Sequence, residues 1–382
     1  MNVLHTFSNY LNLSENWAYR LISNIPEVKT FITADQYRKT NFYDSNFEFV
    51  EFPLTYVDER IPLNTALNKV IAQVRKTNPR YVARILKDRS INVLHSHYGY
   101  SGWNHRKIAD LLNIPHVISF YGWDYEKFTF LNPSWKPKYQ KLFEIGDKFL
   151  AEGSHAKQLM VKIGCPEQKV DVVRLGGDIE SIPFQLRQRK TSNFRLVQIA
   201  NLTGKKGHVY TIEAYALAKA KRSDISLTII GNGPASFKQE LVSKARQLNV
   251  LEDIEFIDYV NFDHLHDLLL DYHAFIHPSC YTENLDSEGG APVVLIDAQA
   301  TGLPVISTTH CDIPDVVIDE STGFLSPEKN SEAVAESIVR LFDLSQSDFD
   351  QMSIKARSHM EDTYDISKNS KYLRGIYGQL LT

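Results

Sequence analysis

The chain has 382 residues, 43% of them hydrophobic and 23% charged, with a formal net charge of −4. That length is too great for one ordinary core and predicts two domains of a globular protein. Three scattered cysteines, Cys165, Cys280 and Cys311, exclude a disulfide framework and a C-x-x-C metal site, and fit a reducing cytoplasm. No apolar run approaches the roughly 20 residues that span a bilayer, and the first residues lack the charged start and apolar core of a signal peptide. A soluble or peripheral cytoplasmic protein is expected. Residues 1–180 carry a net +4 and residues 181–382 a net −8, so the two halves are expected to meet different partners.

Short β-rich runs at 2–7, 28–33, 47–52, 92–97, 116–120, 148–152 and 170–174 alternate with helical stretches such as 15–22 and 102–112. Alternating β and α segments predict a parallel, doubly wound sheet. Between them, residues 60–89 hold eight Lys and Arg against the single Asp88. An apolar stripe of Leu63, Leu67, Val70, Ile71 and Val74 predicts a helix packed on the sheet. Its basic face suits an anionic membrane surface or a solvated exterior. Without interleaved aromatic residues it does not suit nucleic acid.

The polar, aperiodic stretch 181–193, SIPFQLRQRKTSN, reads as the linker between a first domain over 1–182 and a second over 192–364. The second half repeats the plan. Strands are expected at 194–199, 226–230, 254–259, 274–277, 305–307 and 323–325, and helices at 209–220, 235–248, 262–270, 293–301 and 331–341. A last helix is expected at 367–380. Ligands of such sheets bind beyond the carboxyl ends of the strands.

The chemistry-bearing motifs sit at those ends. His95 and His97 share one face of a strand; with no carboxylate or Cys at ligand spacing, no metal is expected there. Phe120-Tyr121-Gly122-Trp123-Asp124 follows the next strand. Lys205 and Lys206, at a strand-to-helix junction, suit a diphosphate, which the helix N-terminus also attracts. Gly231 and Gly233 permit close backbone approach. Tyr259 and Val260 follow a strand. In Glu288-Gly289-Gly290-Ala291-Pro292 the backbone N–H groups are unhindered and Pro292 opens a helix. Asp297 lies inside an apolar helical run; a buried carboxylate needs a partner, either a hydroxyl-rich ligand or a polar group of the core.

The succession of KKG, G-x-G, P-S, E-G-G-x-P, D-A-x-A-x-G-x-P-V-I and T-G-F resembles the donor-site signature of retaining nucleotide-sugar glycosyltransferases of the GT-B fold, family 4 (glycosyl transferases group 1). The resemblance spans 194–325 most fully and 92–178 in part. It implies two facing Rossmann-like doubly wound parallel-sheet domains with a cleft between them, and a final segment, 365–382, crossing back to the first domain. It implies transfer of a sugar from a nucleoside diphosphate donor, UDP- or GDP-linked rather than ADP-linked, to a saccharide or lipid-linked acceptor. Bacterial surface polysaccharide or glycolipid assembly is the implied setting, with neither cofactor nor metal. The implied catalytic residues are His97, Tyr121, Asp124, Lys206 and Glu288. The implied donor-binding residues are Asn201, Lys205, Lys206, Gly231, Gly233, Tyr259, Val260, Glu288, Gly289, Gly290, Ala291, Pro292 and Asp297, with Asp297 on the ribose.

The chain departs from the family pattern at several positions. Asn201 stands for an Arg, Tyr121 for a His, Tyr259 for a Gly and Asp297 for a Glu. One extra residue separates Glu288 from Asp297, and the loop at 8–14 has no glycine. Two other readings stay open: a GT-B sugar-nucleotide epimerase, which would bind the same donor although the E-G-G-x-P loop favours transfer, and, from Tyr121 and Asn201, a non-catalytic sugar-nucleotide-binding partner.

Overall fold

The computed structural model describes residues 1–10, 16–37, 47–50, 78–188 and 193–382. The first domain carries a parallel sheet of β1 (Asn2–Tyr10), β2 (Lys29–Tyr37), β3 (Glu48–Phe49), β4 (Val93–His97), β5 (His116–Ser119), β6 (Lys148–Ala151) and β7 (Val170–Val172), in the order β3-β2-β1-β4-β5-β6-β7. The second carries β8 (Phe194–Ile199), β9 (Ile225–Ile230), β10 (Ile254–Ile257), β11 (Ala274–His277), β12 (Val305–Thr308) and β13 (Gly323–Ser326), in the order β10-β9-β8-β11-β12-β13. Every pairing in both sheets is parallel. In each sheet the order reverses beside the first strand, and the cleft opens at that switch point. Two parallel, helix-covered sheets are what the alternating pattern predicts.

Helices cover both sheets. In the first domain they are α1 (Asn16–Ser23), α2 (Pro79–Leu86), α3 (Gly99–Leu112), α4 (Lys127–Leu131), α5 (Lys136–Ile145) and α6 (Ser154–Lys162). In the second they are α7 (His208–Lys221), α8 (Ala235–Gln247), α9 (Leu265–Leu269), α10 (Val293–Ala300), α11 (Ile313–Val316), α12 (Ser331–Asp343) and α13 (Gln346–Thr363). Sequence periodicity did not announce α13, whose buried face of Phe349, Met352, Ser353, Ala356 and Met360 mixes apolar with small and polar side chains. The helix expected at 262–270 is a 3-10 turn, Phe262–His264, followed by the short α9. The strand expected at 254–259 ends at Ile257, leaving Tyr259 and Val260 in the loop beyond it. Pro292 lies just before α10 rather than at its first residue, and Gly302, at φ +81°, stops the helix as its motif suggests.

Residues 60–77 of the basic stretch lie outside the described residues. The remainder forms α2, whose N-terminus Asn78 caps, and a 3-10 turn in which Arg89 pairs with Glu48. Among the described residues, no helix is long and apolar enough to cross a membrane.

The chain returns to the first domain after α13. Gly177 and Asp365 form a parallel bridge, with Gly177 N–H donating to the Tyr364 carbonyl at 3.1 Å and Ile366 N–H to the Gly177 carbonyl at 2.9 Å. Asp365 caps α14 (Ile366–Gln379) by accepting from the Ser367 and Lys368 N–H groups. Leu373, Ile376 and Tyr377 then complete a core with Val3, Val93, Val117 and Leu150. Because Leu373 is fully buried, Leu373→Ala is expected to cost about 2–5 kcal/mol. Urea unfolding followed by circular dichroism checks this, and an unchanged midpoint would show that α14 is not part of the core.

Candidate active site

The two domains meet where two glycines touch. Gly122 adopts φ +71°, and a Cβ added to it would lie 1.9 Å from the Gly289 Cα. Only glycine allows that approach. A Cβ on Gly290 would lie 2.3 Å from Glu152 Oε2. Asp124 holds the turn that carries Gly122. Its buried carboxylate accepts from the Gly99 N–H at 2.7 Å and the Tyr121 N–H at 3.2 Å. Burial pushes this carboxyl up to about 7 against those hydrogen bonds.

Glu288 is the electrostatic centre. Lys206 Nζ lies 2.6 Å from its Oε2, and the Ser279 hydroxyl donates to its Oε1 at 2.8 Å. Burial alone would push this carboxyl up. The charges of Lys206 foremost, and of Lys205, outweigh that and hold it down at about 2. The network fixes two histidine tautomers. The single Ser279 proton goes to Glu288, so His277 Nδ1, 2.8 Å away, must donate to Ser279. His277 Nε2 is thereby left as an acceptor, buried without a partner among the described residues. The Glu288 N–H donates to His310 Nε2 at 3.1 Å, so His310 Nδ1 donates to Glu328 at 2.7 Å.

A cavity of about 590 Å³ runs from this pair along the second domain. Lys205, Lys206, Glu288 and Asp297 line it, as do Asn201 and Gly231 at the ends of β8 and β9. Tyr259, Val260, Ala291 and Pro292 also line it. Gly233 lies outside it, packed on Leu202. Gly289 and Gly290 sit behind its wall, against the first domain. Asp297 is 2% exposed and already partnered, by His266 Nε2 at 3.2 Å and by Arg20 of the first domain at 3.6 Å. Of the two alternatives open in the sequence, the polar partner from the protein is present, and the carboxylate also faces the cavity.

Tyr121 faces a second, adjoining cavity, with His97 buried behind it. His97 Nδ1 is 2.6 Å from the Tyr121 hydroxyl, and His97 Nε2 is 3.0 Å from His5 Nδ1. His95 bonds to the Tyr377 and Ser119 hydroxyls at 2.6 and 2.8 Å. Ring nitrogens of His5, His95 and His97 lie within 4.8 Å of one another, so the third histidine that the sequence did not show comes from β1. Burial lowers all three pKa values, which keeps the rings neutral. Five of their six nitrogens hold these hydrogen bonds, so the cluster braces Tyr121 and the sheet.

Sequence reasoning missed Glu152, Trp17, Arg20, His266, His277 and His310. Glu152 follows β6 directly, and its place beyond a strand's carboxyl end was the available signal. Arg20 and His266 reach Asp297 only through the tertiary fold and have no local signature.

Similarity to known proteins agrees with this geometry. Residues 178–359 match the model of glycosyl transferases group 1, and residues 40–181 match glycosyltransferase family 4. The chain is 30% identical over 279 residues to the putative colanic acid biosynthesis glycosyltransferase WcaL of Escherichia coli K12, spanning 72% of this chain and 67% of that one. It is 28% identical over 289 residues to the amylovoran biosynthesis glycosyltransferase AmsK of Erwinia amylovora, spanning 75% and 70%. The fold matches Anabaena HepE in complex with UDP with a TM-score of 0.74 at 14% identity, covering 99% of this chain and 100% of that one. Two facing Rossmann-like sheets with a cavity between them are the architecture of a GT-B glycosyltransferase. The chain belongs to glycosyltransferase family 4, the glycosyl transferases group 1. Of the three readings open in the sequence, sugar transfer is the one its relatives share.

The buried pair gives a pH-dependent expectation. With a folded value of about 2 against an ordinary 4.5, Glu288 contributes stability that is complete above pH 4.5 and is lost as pH falls toward 2. In Lys206→Met the same buried carboxyl has lost its main counter-charge, its pKa rises, and its cost grows with pH instead. The variant should lose about 3–5 kcal/mol at about pH 8 and less at about pH 5. Adding Glu288→Gln should recover part of the loss. Urea unfolding at the two pH values reads this, and a pH-independent loss would contradict it.

Proposed function

We propose that this protein moves a sugar from a nucleoside diphosphate sugar to a saccharide acceptor with retention of anomeric configuration, in the assembly of a bacterial surface polysaccharide or glycolipid. One observation carries the reading: Lys205, Lys206, Glu288 and Asp297 converge on a single cavity at the carboxyl ends of the second sheet. The names of WcaL and AmsK support the polysaccharide setting. The HepE complex supports a nucleoside diphosphate as the form of the donor.

The chemistry follows from charge. The bond from the anomeric carbon to the diphosphate breaks, and negative charge collects on the leaving phosphate. Lys206, Lys205 and the N-terminus of α7 stabilise that charge. Once Lys206 turns to the diphosphate, the Glu288 carboxylate needs new donors, and the sugar hydroxyls supply them. Asp297 accepts from the ribose hydroxyls in competition with Arg20, while Tyr259 and Val260 flank the base. The acceptor hydroxyl attacks the anomeric carbon from the face that the diphosphate leaves, and its proton passes to the leaving phosphate. Tyr121, a poor base near neutral pH, donates a hydrogen bond to a sugar hydroxyl, with His97 behind it to hold the phenol in place.

With an α-linked donor, proton NMR of the product should show an α-linkage, and a β-linked product would overturn retention. In calorimetry with UDP and GDP, Asp297→Asn should weaken nucleoside diphosphate binding by about 1.5–3 kcal/mol. Glu288→Gln, which frees Lys206 from its ion pair, should not weaken nucleoside diphosphate binding and should lower turnover. Equal effects of the two substitutions on both measures would contradict the division of roles.

A further inference from the structure

Beside the donor cavity lies the second one, of about 390 Å³, and it is walled differently. Five aromatic rings follow one another around it. Trp17 packs on Tyr121 at 4.3 Å between ring centroids, Tyr121 meets Tyr98 edge-on at 4.9 Å, Tyr98 stacks on Tyr100 at 5.4 Å, and Tyr100 meets Trp123 edge-on at 5.9 Å. Trp123 remains 41% exposed, a large apolar ring turned toward solvent at the mouth. Tyr98 holds φ +75°, a strained conformation for a bulky residue, and so turns its ring into this wall. The cavity shares Trp17, Glu152, Lys205 and Glu288 with the donor cavity, so a molecule bound here abuts the reacting end of the donor.

We propose that this cavity holds an uncharged pyranose of the acceptor, its C–H face against the Trp17, Tyr98, Tyr100 and Trp123 rings and its hydroxyl edge toward Glu152. This rests on the transfer reading above and names the acceptor chemistry that the reading leaves open. A pyranose has hydroxyls around its edge and C–H bonds on its faces. The electron-rich face of an aromatic ring attracts those C–H bonds, while the edge needs hydrogen-bonding groups.

The charge balance selects an uncharged ring. Among the described residues no hydrogen bond or ion pair engages the Glu152 carboxyl. Burial, and then the charges of Asp312, Asp124 and Glu288, push its pKa well up. The lysine on this wall, Lys205, is already held by Asp286 at 3.4 Å and by the Ser287 carbonyl at 2.7 Å. A uronic acid or a diphosphate placed here would add negative charge to surroundings that already drive Glu152 toward its neutral form, and the one cation among the described lining residues, Lys205, is the one assigned to the donor diphosphate. A lipid-diphosphate end of the acceptor, where there is one, belongs outside this cavity.

Saturation-transfer NMR on the full chain, with and without UDP or GDP, tests this with methyl α-D-glucopyranoside, methyl β-D-galactopyranoside and methyl β-D-glucuronide. At least one uncharged glycoside should bind, with the strongest transfer to the ring protons of one face, and the glucuronide should bind more weakly. Trp123→Ala should weaken that binding about tenfold, the equivalent of about 1.4 kcal/mol. Its UDP or GDP affinity in calorimetry should match the wild type, which shows that the variant is folded. The proposal is overturned if the glucuronide binds as tightly as the uncharged sugars, or if Trp123→Ala leaves glycoside binding unchanged. It also falls if no uncharged glycoside binds up to its solubility while the nucleotide does. Absence of nucleotide binding by the wild type would instead remove the transfer reading itself.

Discussion

The Lys206–Glu288 ion pair is the interaction on which the site depends. A carboxylate kept ionised inside the protein is costly unless its counter-charge and hydrogen-bond donors are complete. Lys206 and Ser279 meet that need from the second sheet, and Lys205 adds charge while tying down the loop at 286–287. The same demand fixes the His277 and His310 tautomers, and through His310 the position of Glu328. On the proposed reading, a diphosphate that drew Lys206 away would leave the carboxylate in deficit, and hydroxyl groups from the sugar would restore the balance, coupling recognition of the two halves of a donor through one buried charge.

The second constraint is steric. Gly122 and Gly289 allow the domains to approach to backbone contact, and Gly290 leaves space for the Glu152 carboxyl. The glycines of the signature loop read in the sequence as exposed N–H groups for a ligand. The structure gives their missing side chains another meaning, because any Cβ there would hold the domains apart. Arg20 adds an ionic tie across the same junction, reaching Asp297 from α1 and stacking over Phe262 at 5.1 Å.

Much of the fold was legible because parallel strands, buried on both faces, stand out as short apolar runs between turn signals. The lining of the larger cavity was legible too, since Lys206, Gly231, Glu288 and Asp297 each sit within a few residues of a strand end or helix start. Arg20 beside Asp297, and His5 beside His95 and His97, were not legible. They meet through strand order and domain packing, and no local pattern in the chain encodes that proximity. Glu152 fell between these cases: its position beyond β6 was visible, but that no ion pair meets it among the described residues is a property of the folded surroundings. Helix α13 was hidden for a different reason, because Ser353 interrupts the apolar stripe it buries.

Helix α14 belongs by sequence to the far side of the second domain and by packing to the first. Tyr377 lies in the first domain's core, and its hydroxyl holds His95, which in turn holds Ser119 at the end of β5. Domains generally fold in the order in which they leave the ribosome, but this arrangement reverses that order. The second domain is contiguous and has its full complement of sheet and helices by residue 364, whereas the sheet that begins at Asn2 waits for residue 377 to cover it. The half of the molecule made first is therefore the half completed last, and until then it exposes the apolar patch that α14 will occupy.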